Sequence, residues 1–322
     1  KNSRNWRIFL SYDHLIPVIN DLDTLGYLNQ VLGSEGKHLR TRIKATPKLI
    51  DLLYDPQFSI KSKIAESGLL SLTNPHPDAK YDLITLKNEN GEKIAYKATK
   101  PIRLMKVHIE QVNAKLKQSL ITLKMTDEQF SSMEDQLTSK KDLTKRTINF
   151  TNNHIYRIFN NSSFELGGRF YGGWWQNVPS QYRKHIEINH KPTVEIDYSS
   201  HHIRILYDQE GLSAPEDAYE ISGYDKDSLK EIMLIMINCR SKRQAMKKLE
   251  HMDEIEPDIA KTMAQLLIEK HQPIERYFYS GIGLSLMYKD SIIAERVMLE
   301  MLKRGAIVLP VHDSFIVRNS YE

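Results

Sequence analysis

The sequence predicts an α+β fold in which a small N-terminal module and a middle region precede a larger C-terminal half. Residues 151–322 carry strand patterns near both ends and several helical patterns between them, an arrangement typical of α+β domains. Residues 1–77 show the order helix, strand, basic loop, strand. The charge also divides: residues 1–150 hold 24 Lys and Arg against 17 Asp and Glu, whereas 151–322 hold 21 against 24.

Composition narrows the class of protein. The 322 residues allow about two domains at roughly 100–200 residues each. Hydrophobic residues make up 40% of the chain and no apolar run is long enough to span a bilayer, so we expect no membrane partner. A single cysteine, Cys239, excludes an internal disulfide framework and fits a reducing, cytoplasmic setting. The first residue is Lys1 and not Met, so we expect the sequence to be either a fragment or a processed form of a protein.

The N-terminal module, residues 1–77, is expected to be winged-helix-like and to bind nucleic acid. Apolar residues recur at helical spacing over 12–25. Strand patterns on either side of a glycine-containing loop follow, at 27–32 and 39–45. The loop and the second strand supply a row of basic residues that could follow a phosphate backbone: Lys37, His38, Arg40, Arg42, Lys44 and Lys48. Of these, Arg40, Arg42 and Lys44 are expected to bind nucleic acid. The alternative for this row is an ordinary solvated hairpin.

The middle region, residues 78–150, is predicted to contain a hairpin, a helix and a connector. Asn90-Gly91 is a strong two-residue turn signal between two strand patterns. A basic amphipathic helix is expected over 103–118. The polar segment 125–147 is interpreted as a connector and as the boundary before the C-terminal half, residues 151–322.

Two aspartates of the C-terminal half lie in apolar strand patterns. Asp197 ends a strand, Thr193–Asp197, that we expect to be buried, and Asp313 lies within the last strand pattern, at 306–317. A carboxylate among β-branched residues is costly unless its charge is compensated, and a divalent cation is one compensation. Two such carboxylates can hold two Mg²⁺ ions about 3.5–4 Å apart. Asp197 and Asp313 are therefore candidates for binding Mg²⁺, with Mn²⁺ as a substitute. The alternative for either residue alone is an ordinary turn or strand-end aspartate.

A helical pattern between these aspartates presents a polar face. Lys226, Lys230, Leu234 and Asn238 recur every four residues and therefore share one side of the helix. Two lysines one turn apart could hold a triphosphate, and the alternative is a solvated lysine face. Further cations extend this basic end of the helix: Arg240, Lys242 and Arg243.

Three motifs in order resemble family A DNA polymerases over residues 160–322. The first is Phe-Glu-Leu-Gly-Gly-Arg-Phe-Tyr-Gly-Gly-Trp-Trp-Gln-Asn-Val-Pro at 164–179, and the second is Val-Glu-Ile-Asp-Tyr-Ser-Ser-His-His-Ile-Arg at 194–204. The third, Val-His-Asp-Ser at 311–314, is more similar still to the His-Asp-Ser of single-subunit phage-type RNA polymerases.

The resemblance implies a right-hand polymerase palm with an antiparallel sheet and reduced helical fingers. It implies template-directed extension of a primer by nucleoside triphosphates, with two metal ions on Asp197, Asp313 and the carbonyl of Tyr198. Lys230, with Lys226, would bind the triphosphate. By the same resemblance the primer–template, DNA or RNA, would be held by Arg169, Gln176, Asn177 and His312.

The chain departs from the family pattern at three positions. His202 stands where the family has the Glu that blocks a ribose 2′-hydroxyl, Asn238 where it has a Tyr, and Ser314 where it has a second carboxylate. We expect His202 and Asn238 to contact the nucleotide and favour a DNA polymerase with His202 as a steric gate. A primase or RNA polymerase using ribonucleotides stays open, as does a non-catalytic nucleic-acid-binding protein with a degenerate palm.

Overall fold

The computed structural model describes residues 12–33, 41–54, 82–139, 148–150, 152–252 and 255–321. The α-helices in these ranges are α1 (Tyr12–Thr24), α2 (Pro47–Tyr54), α3 (Lys100–Lys117), α4 (Asp127–Ser139), α5 (Ser180–Arg183), α6 (His201–Gln209), α7 (Lys226–Asn238), α8 (Lys242–Leu249), α9 (Pro257–Lys270) and α10 (Gly283–Lys303). Short 3₁₀ turns cover Trp174–Asn177, Gln272–Tyr277 and Asn319–Tyr321.

The strands in the same ranges are β1 (Leu28–Val31), β2 (Arg42–Ala45), β3 (Ile84–Lys87), β4 (Lys93–Ile94), β5 (Ile121–Leu123), β6 (Tyr156–Phe159), β7 (Gly167–Tyr171), β8 (Ile186–Ile188), β9 (Lys191–Asp197), β10 (Leu309–Val311) and β11 (Ser314–Arg318). The chain divides into two compact units, one of residues 1–79 with 126–152 and one of 80–125 with 153–322. This mixture of helices with largely antiparallel sheets agrees with the predicted α+β class.

The first unit begins with the predicted order of helix, strand and strand, and the helix α2 follows. β1 and β2 pair antiparallel, with Leu28 opposite Ala45 and Val31 opposite Arg42. Residues 34–40 of the loop between these strands, which include Arg40, lie outside the described residues.

The prediction of a connector over 125–147 is wrong for the part of this segment that forms α4. Thr126 and Gln129 form a reciprocal N-terminal cap: Thr126 Oγ1 accepts from the Gln129 amide at 3.3 Å, and Gln129 Oε1 accepts from the Thr126 amide at 3.0 Å. Met133 is buried on the helix. A cap and a buried side chain are enough to make this polar segment helical.

The second unit contains a five-stranded antiparallel sheet in the order β10–β11–β9–β8–β5. The single strand expected over 306–317 is instead a hairpin, because the chain turns at His312 and Asp313. His312 adopts the left-handed conformation, with φ 57°, that such a tight turn requires. β11 then pairs with β9 so that Ser314 lies opposite Asp197.

β9 is not the buried strand that was predicted. Its residues are half-buried or exposed, and the exposed fraction of Ile196 is 42%. An antiparallel sheet can leave one face to solvent, so a run of apolar residues does not require burial on both faces. Ile196 and Tyr198, the latter 43% exposed, precede and follow Asp197 in the chain, and both are open to solvent.

A second sheet in this unit has the order β4–β3–β6–β7, and its β3–β6 pair is parallel. Phe159 and Phe170 are buried on β6 and β7. The 3₁₀ turn after β7 buries Trp174 and Trp175, and the Trp175 indole donates to the carbonyl of Pro310 on β10 at 3.0 Å. The indole contact thus joins the segment after β7 to the hairpin that carries Asp313.

The helices α6, α7 and α9 share one buried cluster, which includes Ile203, Leu206, Leu229, Ile232, Met236, Ala260 and Leu267. The helix expected to run from Lys226 through Arg243 is instead two helices, because Ser241 caps a new one. The Ser241 hydroxyl accepts from the Gln244 amide at 3.2 Å. Among the described ranges, none of the helices has the length and apolar character needed to cross a bilayer.

Candidate functional site

Asp197 and Asp313 lie side by side at one end of the five-stranded sheet. Asp197 is the last residue of β9, and Asp313 directly precedes the residue opposite it, Ser314. Partial loss of water, followed by the negative charges of Asp313 and Glu195, raises the pKa of Asp197 above its ordinary value. The pairing and the repulsion together define a site where a cation would be stabilised.

The turn that carries Asp313 is fixed from both sides. Ser314 Oγ lies 2.5 Å from Glu195 Oε1 on β9. Gln176 Nε2 donates to the carbonyls of Phe170 at 3.0 Å and Pro310 at 2.9 Å. Gln176, predicted to contact the primer–template, is thus used in this structure to hold β10. Its neighbour Asn177 is exposed.

The segment after Asp197 turns sharply into α6. Ser200, just before the helix, has a left-handed φ of 54°. Arg204 Nε donates to the Ser199 carbonyl at 2.9 Å, which holds this turn from the helix. The Tyr198 ring lies 5.0 Å from the His201 ring and 6.1 Å from the Phe315 ring, between centroids. The backbone that would present the Tyr198 carbonyl is therefore well supported.

A polar cluster next to the carboxylates was only partly predicted. Arg169 Nε donates to Asp290 Oδ2 at 2.7 Å, and Arg169 Nη2 lies 3.2 Å from His202 Nε2. His201 Nε2 lies 3.4 Å from Asp290 Oδ1. The sequence analysis missed Asp290 and His201. A signal for Asp290 existed, because it stands at four-residue spacing among the buried Leu286, Ala294 and Met298 of α10.

His202 is a neutral imidazole at ordinary pH. Burial, followed by the charge of Arg169, lowers the pKa of His202 to about 4. The Arg169 guanidinium has only donors, so His202 Nε2 accepts and the ring proton is on Nδ1. His202 therefore offers bulk and one N–H donor.

Acid should destabilise the fold through histidines whose pKa values the fold lowers. Burial lowers the pKa of His154, His201, His202, His271 and His312 below the ordinary value. The unfolded chain then binds more protons than the folded chain below pH 6.5, so the free energy of unfolding falls as pH falls from there. The raised pKa values of Asp197 and Asp290 act in the opposite sense at lower pH.

The lowered pKa of His202 alone should reduce the free energy of unfolding by about 1 kcal/mol at pH 5.5. Urea unfolding of the wild type and of His202→Gln at pH 7.5 and 5.5 measures it. The variant should lose about 1 kcal/mol less than the wild type between the two pH values. An equal loss of free energy in both proteins would contradict the assignment of His202 as a half-buried, neutral group.

The predicted lysine face on α7 is solvent-accessible, and both lysines have acidic partners. Lys226 Nζ lies 2.5 Å from Asp217 Oδ2, and Lys230 Nζ lies 2.7 Å from Asp227 Oδ1. Asn238 Nδ2 donates to the Leu234 carbonyl at 2.8 Å. A triphosphate would have to compete with these carboxylates for the lysines.

Lys226 lines a cleft of about 550 Å³ that also contains Asp217, Tyr219 and Tyr224. Burial, followed by the charge of Asp313, raises the pKa of Tyr219 to about 12. Tyr219, which the sequence analysis also missed, therefore links the cleft at Lys226 to the neighbourhood of Asp313.

Lys230→Ala should raise the KM for nucleotide and lower the rate of incorporation. It would remove a charge-assisted phosphate contact worth about 1.5–3 kcal/mol. Steady-state kinetics on one primer–template measures the change. Lys303→Ala is a matched control, since Lys303 is also exposed and pairs with Glu300 three residues before it. Unchanged kinetics in Lys230→Ala would mean that this face is merely solvated.

Arg40, Arg42 and Lys44, which were predicted to bind nucleic acid, differ in their surroundings. The Arg42 guanidinium lies 5.1 Å from the centre of the Phe130 ring, whereas Lys44 is exposed on β2. Arg40 lies outside the described residues. Among the three, Lys44 is therefore the cation that the structure shows open to a polyanion.

Replacing Arg40, Arg42 and Lys44 together by Gln should weaken nucleic-acid binding and flatten its salt dependence. Each lost phosphate contact should reduce the log–log slope by about 0.7–0.9. Fluorescence anisotropy at several salt concentrations measures this, with Lys303→Gln, which changes an exposed lysine of the second unit, as the control. An unaltered slope would show that β2 is not part of the nucleic-acid-binding surface.

The donors at the paired carboxylates suit magnesium. No group of three His, Cys, Asp or Glu that could enclose a metal occurs within the described ranges. Mg²⁺ prefers one or two carboxylates and completes its octahedron with phosphate oxygens and water. Two repelling carboxylates with an accessible Asp197 fit that preference.

The fold and this site define an α+β protein with two carboxylates at adjoining strand ends. Compared with known proteins, the chain matches no family model, no curated protein and no solved structure.

Proposed function

We propose that this protein is a template-directed nucleotidyltransferase of family A DNA polymerase type, acting in a reducing, cytoplasmic compartment. The observation that carries the proposal is the register between β9 and β11, which brings Asp197 beside Asp313 at the end of an antiparallel sheet. The order of the three motifs supports it.

In the proposed reaction a primer 3′-hydroxyl attacks the α-phosphorus of a nucleoside triphosphate. The new bond joins the 3′-oxygen to the α-phosphorus, the bond from the α-phosphorus to the bridging oxygen breaks, and pyrophosphate leaves with that oxygen. The hydroxyl proton passes to water. Asp197, Asp313 and the Tyr198 carbonyl would hold two Mg²⁺ ions, which when bound supply charge neutralisation at the reacting phosphate.

Other side chains would bind and orient the substrates. Lys230 and Lys226 would release their carboxylate partners and pair with the β- and γ-phosphates. Arg169, Asn177 and His312 would contact the primer–template, with Gln176 holding β10 behind them. The exposed Ile196 and Tyr198 offer an apolar surface on which the end of a duplex could rest.

Two further candidates stay open beside DNA synthesis. A primase or RNA polymerase is favoured by the Val-His-Asp-Ser motif and by the free N–H of a neutral His202, which could donate to a 2′-hydroxyl. A non-catalytic nucleic-acid-binding protein is favoured by the absence of a second carboxylate at Ser314.

Primer extension with Mg²⁺ tests the proposal. Deoxy- and ribonucleoside triphosphates are supplied separately, with and without primer, and binding of the same primer–template is measured at two salt concentrations. Extension with deoxynucleotides supports the DNA polymerase. Extension with ribonucleotides alone supports an RNA polymerase, synthesis without primer supports a primase, and binding without extension supports the non-catalytic protein.

A further inference from the structure

Two arginines of the second sheet reach the same helix, α10, and they differ in how their donors are used. Arg157 on β6 is fully buried and uses every nitrogen. Its Nε donates to the Gly168 carbonyl at 2.7 Å, its Nη1 to Glu295 Oε2 at 2.8 Å and its Nη2 to Ser291 Oγ at 2.7 Å. Arg157 therefore clamps the helix to the sheet and has no nitrogen left without a protein partner.

Arg169 on β7 is held differently. Its Nε donates to Asp290 Oδ2 and its Nη2 to His202 Nε2, whereas Nη1 has no hydrogen-bond partner in the part of the chain that the structure describes. Its side chain is 13% exposed, against 0% for Arg157. Arg169 is thus fixed at one end, and its Nη1 keeps both of its N–H donors for another molecule.

The carboxylate that fixes Arg169 is costly to bury. Asp290 has a side chain 3% exposed, and burial raises its pKa against the opposing effect of Arg169. Its second oxygen lies 3.4 Å from His201 Nε2, so one carboxylate contacts both the Arg169 and His201 side chains. Glu295 and Ser291 already join α10 to the same sheet, so attachment of the helix does not require a second buried ion pair.

We propose that Asp290 is a positioning residue, an inference that rests on the proposed function. It orients Arg169 through Nε so that the free Nη1 donors meet the primer–template beside the paired aspartates. Asp290 does not itself contact the substrates. Its effect reaches them through Arg169 and, by the contact of Arg169 with His202, through the side chain expected to face the sugar.

The test compares substitutions at the two arginine clamps. Asp290→Asn removes the charge that orients Arg169, and Asp290→Glu restores it. Glu295→Gln and the milder Ser291→Ala disturb the Arg157 clamp on the same helix. Three quantities are measured for each: the urea midpoint of unfolding, the Kd for a primer–template in EDTA by anisotropy, and kcat and KM for extension.

The expected result separates stability from binding. Asp290→Asn should weaken primer–template affinity about tenfold, because Arg169 loses its orienting partner, and Asp290→Glu should recover much of it. Glu295→Gln should lower the unfolding midpoint at least as much, yet leave affinity and kinetics within about twofold of the wild type. The KM for nucleotide should change less in Asp290→Asn than the primer–template affinity.

Equal losses of affinity in Asp290→Asn and Glu295→Gln would overturn the proposal and make Asp290 a structural residue. So would unchanged affinity in Asp290→Asn. A wild type that binds the primer–template but never extends it would refute nucleotidyl transfer, while the metal-free affinities would still decide the role of Asp290. A wild type that does not bind the primer–template would overturn both.

Discussion

Asp197→Ala and Asp313→Ala are each expected to reduce nucleotide incorporation by about a thousandfold or more. Each change removes one of the two carboxylates that would hold the metal ions, and metal-based charge stabilisation of a transition state is worth several kcal/mol. Single-turnover extension with saturating primer–template measures the loss. Asp208→Ala, an exposed aspartate on α6, is the matched control and should extend normally.

The same variants should fold as well as the wild type. Partial loss of water, followed by the charge of Asp313, raises the pKa of Asp197, which means that the ionised pair is unfavourable in the metal-free fold. Removing one partner should therefore leave the free energy of unfolding unchanged or slightly increased in EDTA. Substantial extension by either variant would refute the metal assignment, and unfolding of either would show that the carboxylates serve the fold.

His202→Ala is expected to change the choice of sugar. If the imidazole is a steric gate, its removal should raise kcat/KM for ribonucleotides about 10- to 100-fold, the range for relieving a small steric conflict. The kcat/KM for deoxynucleotides should fall only by the amount that follows from the lost contact between Arg169 and His202 Nε2. The ratio of the two kcat/KM values on one primer–template is therefore the decisive quantity.

The opposite change in this ratio has an equally clear meaning. If the Nδ1–H of His202 donates to a 2′-hydroxyl, the wild type prefers ribonucleotides and the variant loses that preference. That outcome would contradict the steric gate and favour an RNA polymerase or primase. His251→Ala, which changes an exposed histidine between α8 and α9, should leave the ratio unaltered.

Patterns confined to neighbouring residues predicted much of the fold. The helical repeat of Lys226, Lys230 and Leu234 gave a real helix, and the apolar runs around Asp197 and Asp313 gave strands that pair. These predictions succeed because periodicity and turn chemistry are local. The reversal at His312 was missed because strand residues flank it on both sides and neither turn residue is a glycine.

Features that depend on distant partners were harder to predict. Asp290 interacts with Arg169, which is 121 positions away, and only its place on a buried helical stripe marked it as unusual. The carboxylate partners of Lys226 and Lys230 were not predicted either, although Asp227 lies within one helical turn of Lys230. The exposure of Ile196 could not be predicted, because it depends on what covers the sheet and not on the strand itself.

The position of β10 bears on whether copies of this chain aggregate. β10 is the edge strand of the sheet, next to β11. An exposed edge strand can form backbone hydrogen bonds with a strand of another molecule. Pro310 has no N–H to offer such a strand, and its carbonyl already accepts from the Trp175 indole and the Gln176 amide. The strand next to Asp313 is thus protected against self-association by the same contacts that hold its turn in place.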